Sequence, residues 1–255
     1  GAMNNYQKAI NLNDSNEQYF IELAFTYKAK KDVDKVLESF NKAEKINAEN
    51  ALIFNEKGDI YQEINEPHKA IENYKKVLEL DDKREDVYKK IAYIFNKLDN
   101  LDEAIKNFNN YLQLKPKDDK VLYDLGNAYY KNKQYKESIN SLEKAVKINK
   151  TNPDYFADLA RAYYQVNDYK NTIKNYQKAA ELDSKNDKRY NILASIFDEK
   201  EEYEKAISAY LNSIKINNRN ANIYFKLAND YLNINDLDAA SGNYKNALAI
   251  EQKAE

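Results

Sequence analysis

The sequence predicts an all-α protein built as an array of antiparallel helix pairs, and three observations carry that prediction. Residues 119–152 read as two amphipathic helices. The same apolar skeleton returns every 34 residues without insertion or deletion, and the sites where helices must touch keep their size in every copy. A fixed period of this length replaces a globular reading with an array reading. Within the unit, Leu122, Leu125, Ala128 and Tyr129 share one helical face. Tyr135, Ile139, Leu142, Ala145 and Ile148 share another, and Lys133 and Gln134 form the turn between them.

Taken in order, Gly1, Ala2 and Met3 read as a leader left by cloning, outside the fold (1–3). Residues 4–16 fit the second helix of a repeat whose first helix is missing, with Tyr6, Ala9 and Leu12 in register, as in a piece cut from a longer protein. Seven repeats follow as one array, 17–254, with bounds 17–50, 51–84, 85–118, 119–152, 153–186, 187–220 and 221–254. Counting within each repeat, position 8 is Ala24, Gly58, Ala92, Gly126, Ala160, Ala194 or Ala228. Position 11 is always a ring, from Tyr27 to Tyr231, and position 24 is a ring except at Leu142. A small residue lets two backbones approach, and a ring fills the space beside them.

Helices are expected near each position 1 and each position 18. Before the first helices stand Asn16, Asn50, Asp118, Asn152, Asn186 and Asn220, all able to cap, and Arg84, which is not. Pro153 and Pro67 suit first helical positions. Lys57 replaces leucine at position 7, so the second repeat is expected to bury less apolar surface. Tyr111 stands at position 27, where Gly126 would give it room unless the phenol swings outward. Ser241 and Gly242 mark the seventh repeat as a terminal one, since position 21 is apolar in the others. Lys136 and Glu143 fall on the solvated outer face.

These residues resemble the tetratricopeptide repeat (TPR): a ring at position 4 in six copies, small residues at 8, rings at 11 and 24, and small or β-branched residues at 20 from Val36 to Ala240. The family's proline survives as Pro116. The resemblance covers nearly the whole chain. It implies a right-handed superhelical solenoid with a concave groove lined by the first helix of each pair, and a protein-binding role without chemistry.

Composition narrows the function further. Lys plus Arg number 40 against 42 Asp plus Glu, for a net charge of −2, so no strong field draws the chain to nucleic acid or membrane. Without cysteine there is no disulfide, thiolate or sulfur metal site, and the lone His68 falls on a surface-facing helix. No glycine-rich phosphate loop and no membrane-length apolar run occurs. No cofactor, metal or enzymatic activity is expected. The compartment is not fixed by sequence: a cytoplasmic setting is favoured, and a periplasmic or envelope-associated one fits a parent carrying a signal or anchor.

In the family the groove is lined by positions 2, 5, 9, 12 and 13. Across the third to fifth repeats these supply Lys89, Tyr93, Tyr123, Asn127, Tyr130, Lys131, Arg161 and Tyr164, a basic and aromatic stretch. The resemblance therefore implies a groove for a peptide or protein partner bearing acidic groups. The two-carboxylate clamp of chaperone-binding members is absent, because Lys89 is followed by Tyr93, and Asn127 is preceded by Tyr123. Two other readings stand beside it: a scaffold self-assembling through its ends, and a regulatory segment of a larger multidomain protein.

Overall fold

The computed structural model describes residues 2–252, with side chains from residue 5 onward; Gly1 of the leader and the last two residues of the seventh repeat lie outside the described residues. Among the described residues there are fifteen helices and no strand. They group into two compact units, one ending at Pro116 and one beginning at Lys117.

The first unit holds α1 (Ala2–Leu12), α2 (Glu17–Ala29), α3 (Val33–Ile46), α4 (Ala51–Glu63), α5 (Pro67–Leu80), α6 (Glu85–Lys97) and α7 (Leu101–Leu114). The second holds α8 (Asp119–Lys131), α9 (Tyr135–Ile148), α10 (Pro153–Gln165), α11 (Tyr169–Leu182), α12 (Asp187–Glu199), α13 (Tyr203–Ile216), α14 (Ala221–Asn233) and α15 (Leu237–Glu251). First helices begin at position 1 as expected, and second helices at position 17, one residue before the expected start. Within each unit the two helices of a repeat pack on one another, and each second helix packs on the next first helix. The rings at position 24 are the centre of this packing: Phe40, Tyr74, Phe108 and Tyr210 are fully buried, each contributing roughly 1.5–3 kcal/mol of burial.

The turn inside each repeat is the same in all seven. Position 15, at Lys31, Asn65, Asp99, Lys133, Asn167, Glu201 and Asn235, has φ between 58° and 62°. Three residues beyond the end of each first helix, the backbone N–H closes back over this left-handed residue, as Gln134 N does on Tyr129 O at 2.9 Å and Glu202 N on Phe197 O at 2.9 Å. This is the Schellman closure, which usually places glycine at the left-handed site. Here no glycine occupies it.

Capping differs in part from expectation. Asn16, Asn50, Asp118 and Asn152 accept a hydrogen bond from the first turn, whereas Asn186 and Asn220 do not. Asn186 instead turns its amide to Asp183 at 3.0 Å. Asp32, Asn100, Asp168 and Asp236 cap second helices, a role the first-helix pattern did not reveal. The Arg84 exception has a physical reason. Its guanidinium grips Asp86 with two bonds of 3.0 Å, fixing a carboxylate in the first turn where the helix dipole favours it.

Polar staples join helices where apolar area runs out. Asn149 and Asn217 each reach back from position 31 to the acid at position 1, Asp119 at 3.0 Å and Asp187 at 2.9 Å. Arg189, 8% exposed, ties α12 to α10 through Asp154 at 2.7 Å and holds Asp183 at 3.1 Å. Lys57 is buried as an ion pair with Glu44 of the preceding repeat, and Lys76 reaches the same carboxylate at 3.5 Å. Burial pushes Glu44 up, but the hydrogen bond and charge of Lys57, aided by Lys76, outweigh it and hold the carboxyl below its usual range. The second repeat thus replaces an apolar contact with a charge pair.

Tyr111 does not swing outward: it is 7% exposed, with Lys89 Nζ 5.1 Å over its ring. Within its own unit, Gly126 meets Leu142. A Cβ there would lie 2.6 Å from Leu142 Cγ of its own repeat, so the glycine makes room for the one position-24 side chain that is not a ring. Glu143, expected to be idle on the surface, accepts a 2.5 Å hydrogen bond from Tyr163 of the next repeat. Ser241 and Gly242 are exposed as expected, but so are Leu237 and Leu248 on the same helix.

Candidate functional site

The first helices carry the candidate residues because positions 2, 5, 9, 12 and 13 fall on the face left free when positions 4, 8 and 11 turn toward the second helix. In the first unit, Tyr93 stands edge-on to Phe108, with ring centres 5.3 Å apart. Beside Lys97 and Leu98 it lines a cleft of about 270 Å³ reaching Gln62 and Pro67. Lys89 covers the Tyr111 ring. A polar centre sits on the same helices: Tyr74 donates to Asp59 at 2.5 Å and to Gln62 at 3.1 Å, and Lys90 pairs with Asp59 at 2.6 Å. Burial, then the bond to Asp59, push the Tyr74 hydroxyl far above the usual phenol range, so it stays a donor.

In the second unit, Asp158 gathers three of the candidates. Tyr123 donates to Asp158 at 2.6 Å and stacks on Tyr155 at 4.4 Å with a 19° tilt. Arg161 reaches the other oxygen of Asp158 with Nη2 at 3.2 Å. Its guanidinium lies 4.6 Å over Tyr130, a cation–π contact that holds the planar fork in place. Tyr130 in turn stands against Tyr135. Burial raises the Tyr123 hydroxyl, and Asp158 raises it further. Asn127 lies one turn from Tyr123 on α8, and its Oδ1 is buried without a partner. Lys131 is exposed at the end of α8.

Tyr164 belongs to a second group. Its hydroxyl donates to Glu199 at 2.6 Å, and Tyr169 donates to the other oxygen at 2.8 Å. The hydrogen bond from Tyr164 and then that from Tyr169 hold Glu199 below its ordinary value. Arg161 and Tyr164 share a cleft of about 330 Å³ with Tyr176, Asn191, Ile192, Ser195, Ile196 and Glu199. In the same unit, Asp230 of α14 is 3% exposed with its Oδ2 buried and unpartnered, and Asp198, whose Oδ1 is likewise unpartnered, accepts from Tyr210 at 2.6 Å. Burial first, then Asp198, push Asp230 up to about 8.

Tyr123, Tyr130 and Arg161 are therefore brought together through Asp158, and Tyr164 adjoins Arg161 at the cleft. Lys89 and Tyr93 stand in the other unit. The site residues singled out from sequence do not include Asp158, Glu199 and Asn191. Asn191 and Glu199 occupy groove positions 5 and 13 of the sixth repeat, outside the three repeats singled out, and Asp158 at position 6 looks like part of an ordinary solvated face. Among the described residues, no cluster of His, Cys, Asp and Glu suits a metal ion, and no helix is long and apolar enough to cross a membrane.

Stacked helix pairs with open, side-chain-rich first-helix faces define a helical-repeat protein-interaction module. The repeat identifies it further. TPR repeat models match residues 92–133, 126–167 and 194–234, and tetratricopeptide repeat models match 51–84 and 153–186. The chain belongs to the tetratricopeptide repeat family. Among solved structures, MamA is 25% identical with a TM-score of 0.61, over 66% of this chain and 92% of that one. The C-terminal part of a TPR repeat-containing protein from Cytophaga hutchinsonii is 22% identical, with a TM-score of 0.68 over 87% and 91%. YrrB, described as a TPR protein with an unusual peptide-binding site, is 22% identical, with a TM-score of 0.61 over 71% and 93%. Comparison with curated proteins gave no significant match.

Proposed function

We propose that the chain holds an extended, acidic segment of a partner protein against its first-helix faces, with Arg161 as the main anchor. The observation that carries this reading is the state of the Arg161 guanidinium. It lies on Tyr130 at 4.6 Å, its side chain is 47% exposed, and only Nη2 contacts Asp158. A planar fork with its orientation already fixed loses little freedom on meeting a carboxylate. Asn127, with its unpartnered Oδ1, supplies an acceptor for a backbone N–H of the same segment. Lys131, exposed nearby, adds positive potential rather than geometry. Taken by itself, the first unit presents Lys89 and Tyr93 at the corresponding positions of α6, and we read them as partner-binding residues of that unit.

The test uses acidic peptides selected from a displayed random library against the full chain. Arg161→Ala and Tyr130→Ala should each weaken binding by more than about 1 kcal/mol, and added salt should weaken it further. Lys136→Ala, on the outer face, should leave affinity unchanged. Loss on changing Lys136 with none on changing Arg161 would place the partner on the outside.

A further inference from the structure

Position 6 of the repeat is charged in every copy but one: Glu22, Glu56, Lys90, Asp124, Asp158 and Lys226, against Ile192. Five of these side chains make polar contacts to neighbouring helices, as Glu56 does with Lys28 and Lys90 with Asp59. Ile192 makes none and is 43% exposed. It borders the cleft of about 330 Å³ in the second unit, whose other apolar walls are Tyr164, Tyr176 and Ile196. Beside it, Asn191 Oδ1 is buried with no hydrogen-bond partner. Arg161 stands at the rim, while the Glu199 oxygens are occupied by the hydroxyls of Tyr164 and Tyr169.

An exposed isoleucine is unremarkable on its own. An exposed isoleucine that opens an apolar recess, next to a desolvated acceptor and a cation, describes a ligand in three parts. The recess takes a large aliphatic side chain, since burying one is worth far more than wetting the walls. The unpartnered carbonyl takes a backbone N–H, because a buried acceptor left unsatisfied is costly. The guanidinium takes a carboxylate. We propose that this cleft is an anchor subsite for a partner segment that carries a large aliphatic residue next to an acidic one, with a backbone N–H of that segment donating to Asn191. The inference rests on the groove reading above and specifies what the groove selects besides charge.

The experiment enriches a displayed library of random short peptides on the full chain, then measures the enriched peptides against variants. The expected consensus places Leu, Ile or Met beside Asp or Glu. Ile192→Lys should weaken these peptides by about tenfold or more, the loss of one buried aliphatic anchor. Ile192→Leu should keep binding, and because Ile192 is exposed, both variants should keep the helical circular dichroism of the parent. If the enriched peptides are acidic without an aliphatic residue, or bind Ile192→Lys as well as the parent, the subsite is wrong. The groove reading then stands, provided Arg161→Ala still weakens them. If neither Ile192→Lys nor Arg161→Ala has an effect, or no peptide is enriched, both readings fall.

Discussion

Asp230 should make this protein less stable as pH rises through neutrality, the reverse of an ordinary paired carboxylate. The side chain is 3% exposed with its Oδ2 unpartnered, and it meets the charge of Asp198, which accepts from the Tyr210 hydroxyl. Burial first, and then the neighbouring Asp198, disfavour the charged form of Asp230, so it retains its proton. With Asp230 pushed up to about 8, the native state keeps that proton over a range where the unfolded chain, near 3.8, has lost it. The native state thus binds one more proton, and stability falls by up to about 1.4 kcal/mol per pH unit between those values. The stabilisation is complete below the unfolded value and gone once pH passes the folded one. From about pH 6 to 7.5 the drop attributable to this group is about 2 kcal/mol. Asp230→Asn keeps an N–H donor for Asp198 but cannot titrate. Urea unfolding of parent and variant, followed by helical circular dichroism across this range, should show the variant gaining about 2 kcal/mol on the parent as pH rises. Parallel stability curves for the two proteins would refute the proton retained on Asp230. A local readout at α14 is preferable, because repeat arrays can unfold in parts.

Three further outcomes follow from the packing. Glu44→Ala should cost about 3 kcal/mol in thermal or urea unfolding by stranding the buried Lys57, while Glu44→Leu with Lys57→Leu should be near neutral. Gly58→Ala should cost about 1–3 kcal/mol, because the new Cβ would lie 2.5 Å from a Tyr74 ring fixed by its bond to Asp59. Gly242→Ala, with nothing within 4 Å, should instead stabilise its helix by about 0.5–1 kcal/mol, and equal effects at the two glycines would contradict the packing described. Lys133→Gly and Glu201→Gly should each raise stability by about 0.5–1 kcal/mol by relieving a left-handed residue, measured against Lys136→Gly, which should lower it by a similar amount.

The neutral surface reading of Glu143 shows where sequence pattern stops. Nothing in its spacing distinguishes it from Lys136, yet Tyr163, twenty residues on, donates to it across a repeat boundary. Asn186 and Asn220 likewise look like the other helix caps and do not act as caps. Gly126 was legible as a close-approach site but not as the complement of Leu142, because the residue it accommodates is set by how two helices cross.

What the sequence determined by itself was the frame: the period, the fifteen helices, the small residue at position 8 and the rings at 11 and 24. Those features run through the seven repeats, with Leu142 the one exception at position 24, and depend on size and helical spacing, which are local and additive. Tertiary structure decided which polar partners meet. Tyr123 finds Asp158, Arg161 finds Asp158 and Tyr130, Tyr164 finds Glu199, and Asp230 finds Asp198. Most of these partners lie a full repeat apart and differ from one repeat to the next. A hydroxyl or carboxylate has no periodic signature, and its partner is fixed only when two helices bring single atoms within hydrogen-bond reach.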